Sequence, residues 1–320
     1  MEKKYVITID VGGTKILSCL VSTDHEIIGR VKEVTDISKG NDHLVSTIAG
    51  TITKLLTDYN IKEEDVKALS LGVPGTVNPE SGILADAPNL GIKNFNFKEA
   101  LQKHFNIAVL LENDVNLWGL GILHHEFKNK AKNMLVVCPG TGIGGALVFD
   151  GKLYRGSSFY AGEIGHMLVD KRGKLSVSSK AKTFEEQASR TAVVKGIQKD
   201  MKAGKKSNIL EFTKGKKIKS SALAKAVASG DKLVVKHVKR SCKIIGTLLG
   251  SLTTLLNVDT IVLGGGVIEA MGDFMLPEIQ KAFDKAVLPE VGREVKIVNT
   301  TLGDDAPIYG GLALAEDFLG

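Results

Sequence analysis

The chain has 320 residues, 43% of them hydrophobic and 24% charged, and a formal net charge of +6. That is long enough for two domains with real cores, in the composition range of a soluble globular protein. No apolar run approaches the ~18–20 residues of a helical membrane span, which argues against a membrane protein of that kind. Cys19, Cys138 and Cys242 are far apart in sequence. They form neither a disulfide framework nor a Cys-x-x-Cys metal clip, and read as buried small hydrophobes in a reducing cytoplasm. The N-terminus MEKKYVITID enters a strand at once, so no signal peptide is expected. The charge is uneven: residues 171–220 carry 15 Lys and Arg against 4 Asp and Glu. A local basic segment on a mildly acidic body is not the pattern of a nucleic-acid-binding protein. The run from Lys202 to Lys219 reads as a solvated, mobile loop, with an anionic-partner patch as the minority reading.

The opening stretch from Lys3 to Val21 is an apolar strand, an acid, Gly-Gly-Thr-Lys and a second apolar strand. Val6, Ile7 and Ile9 are strand formers, and Gly12-Gly13 supplies a tight turn. A carboxylate at a strand end beside the N–H groups of a glycine turn suits a metal–phosphate pair. The turn donates to phosphate oxygens, and Asp10 holds the cation directly or through water. An ordinary hairpin with a surface Asp is the competing reading. Glu26–Val31 reads as a third strand. A helix from about Asn41, capped by Asn41 or Asp42, lines up Leu44, Ile48, Ile52, Leu55 and Tyr59. Ala68–Val73 is a strand ending at Pro74-Gly75, and a loop-rich stretch runs to about Asn94. Phe97–Phe105 is a short helix, and Ile107–Leu111 a strand ending at Glu112-Asn113-Asp114. Leu117–Phe127 looks helical.

From Asn133 the plan begins again. Met134–Cys138 is an apolar strand, Gly140–Gly145 a glycine turn, Ala146–Phe149 a second strand and Lys152–Tyr154 a third. This reads as a duplicated half-domain. The second turn has Cys138-Pro139 where the first has Asp10, so it offers only N–H groups and the Thr141 hydroxyl. The later chain is mostly helical: Phe184–Lys199, Ser221–Ala228, and a long helix capped by Asp231 whose face holds Val234, Val238, Ile245, Leu248, Leu252 and Leu255. Thr260–Leu263 is a buried strand running into Gly264-Gly265-Gly266, and Glu294–Val298 another strand. Asp304 or Asp305 caps a final helix in which Gly310 and Gly311 allow close packing. Strands alternating with helices imply an α/β fold.

Asp10 with Gly12-Gly13-Thr14, Asn113-Asp114, Gly140–Gly145 and Gly264–Gly266 all follow predicted strands. Ligand sites in open α/β sheets collect there. Three glycine turns plus acids on two strands make a nucleotide–metal arrangement, with a second carboxylate left for chemistry. None of the turns reads GxxxxGK[ST], so a P-loop is excluded. Gly140-x-Gly142-x-x-Gly145 is followed by a strand rather than a helix, so it is not a dinucleotide fingerprint.

Seven motifs in order resemble the ROK family of bacterial sugar kinases and repressors, of the hexokinase–actin-like ATPase superfamily. They are Asp10-Val-Gly-Gly-Thr-Lys15, Gly72-Val-Pro-Gly75, Pro88-Asn89-Leu90, Glu112-Asn-Asp-Val-Asn116, Gly140-Thr-Gly-Ile-Gly-Gly145, Gly162-Glu-Ile-Gly-His166 and Leu263-Gly-Gly-Gly266. The resemblance implies a two-domain actin-like (ribonuclease H-like) α/β fold with duplicated mixed β-sheet cores around a central cleft. Residues 1–117 plus 304–320 would form the first domain, and 118–303 the second. ATP phosphates would meet Asp10, Gly12, Gly13, Thr14 and Lys15 on one side and Gly140, Thr141, Gly142 and Gly144 on the other, with Mg²⁺ near Asp10. Lys15 reads equally well as a solvated strand position. The adenosine side would meet Gly264, Gly265 and Gly266. A sugar would meet Asn89, Asn113, Asp114, Glu163 and His166. Asp114 would accept the proton of the attacking hydroxyl, most simply the 6-hydroxyl of glucose.

Each of these residues also has a plainer reading: Asp114 as a helix N-cap, Asn89 as a turn residue after Pro88, Glu163 and His166 as a polar surface loop. His124 and His125 show no partner pattern. Many relatives carry a zinc-binding cysteine cluster after Gly-Glu-x-Gly-His, whereas Asp170–Lys182 contains no cysteine. Four-coordinate zinc then lacks its ligands, so no structural zinc is expected, and 171–182 has to be held by packing. Ile92-Lys93 stands where many relatives carry an aromatic, which leaves fructose, mannose, an N-acetylhexosamine or a cyclitol open as the sugar. A non-catalytic sugar-sensing protein is the reading from another class. The relatives that are repressors place a DNA-binding helix-turn-helix ahead of the kinase-like part, and a strand starting near residue 5 leaves no room for one. The resemblance also implies a homo-oligomer, a dimer or tetramer, with no nucleic-acid or membrane partner.

Overall fold

The computed structural model describes residues 4–213 and 215–319, with the Leu319 side chain left aside. Lys3, at the head of the opening stretch, and Lys214, in the Lys-rich run, lie outside the described residues. The first half runs β1 (Tyr5–Val11), β2 (Lys15–Ser22), β3 (Ile27–Val34), α1 (Asn41–Asp58) and β4 (Val66–Val73). It continues through β5 (Thr76–Asn78), β6 (Ile83–Ala87), β7 (Ile92–Asn96), α2 (Phe97–Gln102), β8 (Ala108–Asn113) and α3 (Asp114–Gly121). The second half runs β9 (Met134–Pro139), β10 (Ile143–Phe149), β11 (Lys152–Leu153), β12 (Leu168–Val169), β13 (Lys182–Thr183), α4 (Phe184–Ala188) and α5 (Arg190–Lys202). Then come α6 (Ser220–Ala228), α7 (Lys232–Leu256), β14 (Thr260–Leu263), α8 (Gly266–Phe283), α9 (Pro289–Gly292), β15 (Lys296–Asn299) and α10 (Ala306–Leu319).

The two main sheets share one plan. The first is ordered β3-β2-β1-β4-β8 and the second β11-β10-β9-β14-β15. In the first, β1, β2 and β3 pair antiparallel, and β4 and β8 add on in parallel. In the second, β14 pairs in parallel with both β9 and β15. The duplicated strand–turn–strand pattern of the sequence is therefore a duplicated sheet. β1 is buried on both faces: Ile7, Ile9 and Val11 join a core with α1, while Val6 joins one with Leu117, Leu120, Ile308 and Leu312. Such two-sided burial is why the strand reads as a nearly continuous apolar run rather than an alternating one.

The chain divides into two compact units. The first is Met1–Lys130, Ala146–Ala161 and Asp304–Gly320, and the second Ala131–Gly145 and Gly162–Gly303. The first unit thus runs past residue 117 and takes in the β10–β11 turn. The reason is helix packing: a Cβ on Gly121 would collide with the Ala306 carbonyl, and one on Gly310 with the Leu117 carbonyl, so α3 and α10 touch backbone to backbone. Gly311 similarly abuts Thr8 and Ser70.

Several local expectations need correction. Gly40, not Asn41 or Asp42, is the N-cap of α1, and it makes no side-chain cap bond. Tyr59 falls at its C-cap and is exposed. Residues 76–96 are a three-stranded antiparallel sheet, β5-β6-β7, rather than loop. The predicted helix Phe184–Lys199 is two helices, because Ser189 is extended (φ −65°, ψ 166°) and caps α5 through Ala192 N. Asp231 caps α7 as expected, but Leu255 is 76% exposed. The Asp304 and Asp305 carboxylates bond Lys15 Nζ and the Arg30 guanidinium, each at 2.6 Å, a role the sequence did not suggest. Cys19 and Cys242 are buried, and Cys138 only partly so. The Lys-rich segment is anchored rather than loose, since Ile209 is fully buried and Asp231 Oδ2 accepts from Ser207 Oγ at 2.6 Å and Asn208 N at 2.8 Å.

Candidate active site

In the first unit, three elements deliver polar groups to the C-terminal ends of parallel strands. β1 ends at Asp10-Val11, and the turn Gly12-Gly13-Thr14 leads into β2. The turn is closed by Gly12 N donating to Lys15 O at 2.8 Å and braced by Thr35 Oγ1 donating to Gly12 O at 2.7 Å. Gly13 and Thr14 are exposed at its tip. A Cβ on Gly13 would lie 3.5 Å from the Asn89 carbonyl, so the Pro88-Asn89 turn sits against the glycine turn. Asn89 is exposed and lies within a turn in which Gly91 N donates to Pro88 O. It is both a turn residue and a neighbour of the hairpin.

β8 delivers the third group. Asn113 is the N-cap of α3: its Oδ1 accepts from Val115 N at 2.9 Å and Asn116 N at 3.1 Å, while Nδ2 donates to Gly75 O at 3.0 Å. The capping job proposed for Asp114 therefore falls mainly to its neighbour, although Asp114 Oδ1 also accepts from Val115 N at 3.0 Å. Asn113 keeps one amide N–H to offer a ligand. Asp114 is the first helical residue, where the helix dipole favours a carboxylate.

Electrostatics ties Asp10 and Asp114 together. The Asp10 carboxyl is pushed up to about 7, first by burial and then by the Asp114 charge, with Lys15 pulling it down and Asp304 adding to the rise. Two acids, one at a strand end and one at a helix start, thus repel each other, and a divalent cation would relieve that repulsion. Among the described residues no three or more His, Cys, Asp or Glu side chains converge as a metal cage. That donor set suits a Mg²⁺ that arrives with phosphate oxygens and needs only one or two protein carboxylates.

The second unit repeats the glycine turn with different support. Gly140 N donates to Gly142 O at 2.8 Å. Thr141 Oγ1 accepts from the Arg190 guanidinium at 2.7 Å, and its carbonyl accepts from Thr191 Oγ1 at 2.6 Å. The turn is thereby bolted to the first residues of α5, and the Thr141 hydroxyl still has a proton to donate. Gly264 N donates to Val137 O at 2.9 Å, and Gly265 (φ +81°) is the N-cap of α8. Gly264-Gly265-Gly266 is therefore a helix N-terminus as well as a turn, where the first turn of α8 carries the positive end of the helix dipole. Only glycine takes that φ without strain.

Glu163 and His166 lie on a short 3-10 turn with Nε2 3.8 Å from the carboxylate. Both are exposed, and partial desolvation holds the Glu163 carboxyl above its usual range, against the pull of His166 and with a push from Glu185. Glu185 is the residue that sequence reasoning missed. A Cβ on Gly142 would lie 2.5 Å from its carboxylate and one on Gly165 3.6 Å, so this acid rests against both the second glycine turn and the Glu163–His166 turn. The only sequence cue was the capping box of α4, Thr183 with Glu186, which sets where the helix carrying Glu185 begins. Segment 171–182 is held by the Asp170 carboxylate accepting from Arg172 N and Lys174 N, and by the β12–β13 ladder.

Duplicated five-stranded sheets with two glycine hairpins and strand-end acids define an actin-like ATPase fold. The chain belongs to the ROK family, whose profile matches residues 6–318. It is 30% identical to a glucokinase of Halalkalibacterium halodurans, over 97% of this chain and 94% of the relative. It is 28% identical to an N-acetyl-D-glucosamine kinase of Vibrio cholerae, over 95% of this chain and 97% of that one. The crystal structure of a ROK family glucokinase from Streptomyces griseus in complex with glucose and AMPPNP superposes with a TM-score of 0.81 at 24% identity, covering 98% of this chain and 99% of that one.

Proposed function

We propose that the chain is an ATP-dependent sugar kinase that transfers the γ-phosphoryl group to a hexose hydroxyl, with the 6-hydroxyl of glucose as the acceptor. The observation that carries this reading is the Asp10–Asp114 pair, in which burial and the Asp114 charge raise the Asp10 carboxyl to about 7 beside a glycine hairpin. One acid serves the cation that accompanies the phosphates, and the other is placed at a helix start to take a proton. In support, relatives that match nearly the whole chain are named as a glucokinase and an N-acetyl-D-glucosamine kinase.

The residues then divide as follows. Asp10 holds Mg²⁺, and Gly12, Gly13, Thr14 and Lys15 meet phosphate oxygens, as do Gly140, Thr141, Gly142 and Gly144. Gly264, Gly265 and Gly266 meet the adenosine side. Asn89, Asn113, Glu163 and His166 bind the sugar, and Glu185 joins them as an acceptor for sugar hydroxyls. Asp114 draws the proton from the attacking hydroxyl as the oxygen bonds to phosphorus. Mg²⁺, when bound, neutralises charge on the β- and γ-phosphates. Phosphoryl transfer asks little covalent chemistry of the protein, so positioning and water exclusion carry the rate.

The protein works without structural zinc, as a homo-oligomer in the cytoplasm; light scattering on the purified chain tests the assembly. Among the described residues no helix is long and apolar enough to cross a membrane. A coupled ATPase assay over hexoses, N-acetylhexosamines and cyclitols tests the activity. Glucose should give the highest kcat/KM. An N-acetylhexosamine in first place would correct the sugar, and no sugar-stimulated turnover would favour a sugar-sensing protein.

A further inference from the structure

We propose that Glu112 and Arg155 form a positioning pair that sets the geometry of the sugar-binding residues, an inference that rests on the kinase reading above. The Glu112 side chain is only 2% exposed. A carboxylate in that place needs full compensation, because an unpaired buried charge is strongly destabilising. It is satisfied three times over. Arg155 Nε donates to Oε2 at 2.6 Å, and Oε1 accepts from the Asn113 backbone N–H and from Asn116 Nδ2, each at 2.9 Å.

Those partners bracket Asp114. Glu112 grips the chain just before the acid, at the Asn113 N–H, and again two residues after it, at the Asn116 side chain. The Asn113 cap bonds close the same turn from the other side. The turn at Asp114 is thus held on both sides by one buried carboxylate, to which Arg155 supplies the counter-charge.

Arg155 has a second hold. It follows β11, and its carbonyl accepts from Ala161 N at 3.1 Å, closing the loop that leads directly into Gly162-Glu163. Gly156, at φ +72°, makes the turn that this closure needs. One residue therefore fixes the Asp114 turn through its side chain and closes the 155–161 loop through its backbone. Neither Glu112 nor Arg155 belongs to the groups assigned to touch sugar or nucleotide, so both act through other residues.

Arg155 also borders a surface cavity of about 550 Å³ together with Leu120, His124, Leu153 and Leu314. That opening makes the pair testable by chemical rescue in the full-length chain. Two variants are needed: Arg155→Ala, which strands the Glu112 charge, and Glu112→Gln with Arg155→Met, which removes the charge but keeps an acceptor for Asn113 and Asn116. In Arg155→Ala kcat should fall by roughly tenfold or more and the sugar KM should rise, while the ATP KM stays within about threefold; the double variant, which keeps both Oε1 bonds and strands no charge, should recover most of that loss. Guanidinium chloride at about 20 mM should restore activity to Arg155→Ala and none to the double variant, since only the former keeps an anion to receive it. Amide exchange at Asn113–Asn116 should quicken by roughly tenfold in Arg155→Ala. Arg155→Ala with kcat and sugar KM within about twofold of wild type, a double variant no more active than Arg155→Ala, or no change in exchange in Arg155→Ala would overturn the proposal. Should the wild type phosphorylate no sugar, the kinase reading fails, and the exchange measurement still decides whether the pair positions the turn.

Discussion

Replacing Asp10 with asparagine should make the unliganded protein more stable at neutral pH while abolishing its chemistry. The folded carboxyl is raised to about 7 by burial and by Asp114. In the unfolded chain it titrates near the ordinary Asp value of about 3.9. The folded state therefore holds a proton that the unfolded state has lost between about pH 4 and pH 7, so wild-type stability falls as pH rises through that window. Above pH 7 the whole cost is present. The gap between the two values is worth on the order of 4 kcal/mol, and relaxation and water entry bring the measurable part to about 2–4 kcal/mol. An asparagine side chain cannot ionise and does not bear that cost. Urea unfolding of wild type and Asp10→Asn should coincide near pH 4 and separate progressively towards pH 8. A difference of that size corresponds to a melting-temperature gain of roughly 5–15 °C at pH 8 for a unit of this size. Titrating groups that do not feel the Asp10 charge are shared and drop out of the comparison, while Asp114, Lys15 and Asp304 are coupled to it and contribute to the difference. On the kinase reading, in which Asp10 holds Mg²⁺, the cation would compete with the same proton, so Mg²⁺ affinity of the wild type should rise with pH through 7, and the variant should lose Mg²⁺-ATP turnover but keep sugar binding. Parallel stability curves for the two proteins from pH 4 to pH 8 would refute the reasoning.

Asp114→Asn should abolish turnover, with sugar affinity by calorimetry kept within about tenfold; near-normal kcat would remove Asp114 from the proton transfer. Gly310→Ala should cost about 3 kcal/mol or more, because the new methyl group meets the Leu117 carbonyl on a facing helix, and a melting temperature within a few degrees of wild type would contradict the helix contact. Elemental analysis of purified protein should find no stoichiometric zinc, and one zinc per chain would reveal ligands outside the 171–182 segment.

What the sequence disclosed depended on how local the cause was. β1, β9 and β14 were legible because strands buried on both faces are apolar throughout, and the repeated strand–turn–strand plan already implied a duplicated sheet. Asp231 was legible as a cap because its bonds to Leu233 N and Val234 N are made within three residues. The short strands β5, β6 and β7 were not, since their polar residues and turns resemble loop and their pairing is supplied by one another. Ser189 broke a helix inside an apolar pattern that continues across it, so periodicity gave no warning. α8 was hidden for another reason: three glycines announce a turn, while the helix that begins at the third is carried by contacts with α7 and β15. Asn113 and Asp114 are adjacent and both suited to capping, and only the orientation of the strand end decides which one caps.

The two hairpins also show why a duplicated scaffold need not duplicate its chemistry. In the first, the acid comes from the strand itself, and the charges of Lys15 and Asp304 arrange themselves around it. In the second, the strand ends in Cys138-Pro139, and the nearby carboxylate is Glu185, brought by a helix from much further along the chain. Asp10 cannot move without distorting a core strand, so it suits a fixed cation position. Glu185 is the flexible end of a side chain on a short helix, electrostatically coupled to Glu163, which His166 in turn faces. On the kinase reading proposed above, the first hairpin would then serve metal and phosphate. On the same reading, the acid beside the second hairpin would meet a ligand read by hydroxyl groups, where small adjustments of a carboxylate distinguish one sugar from another.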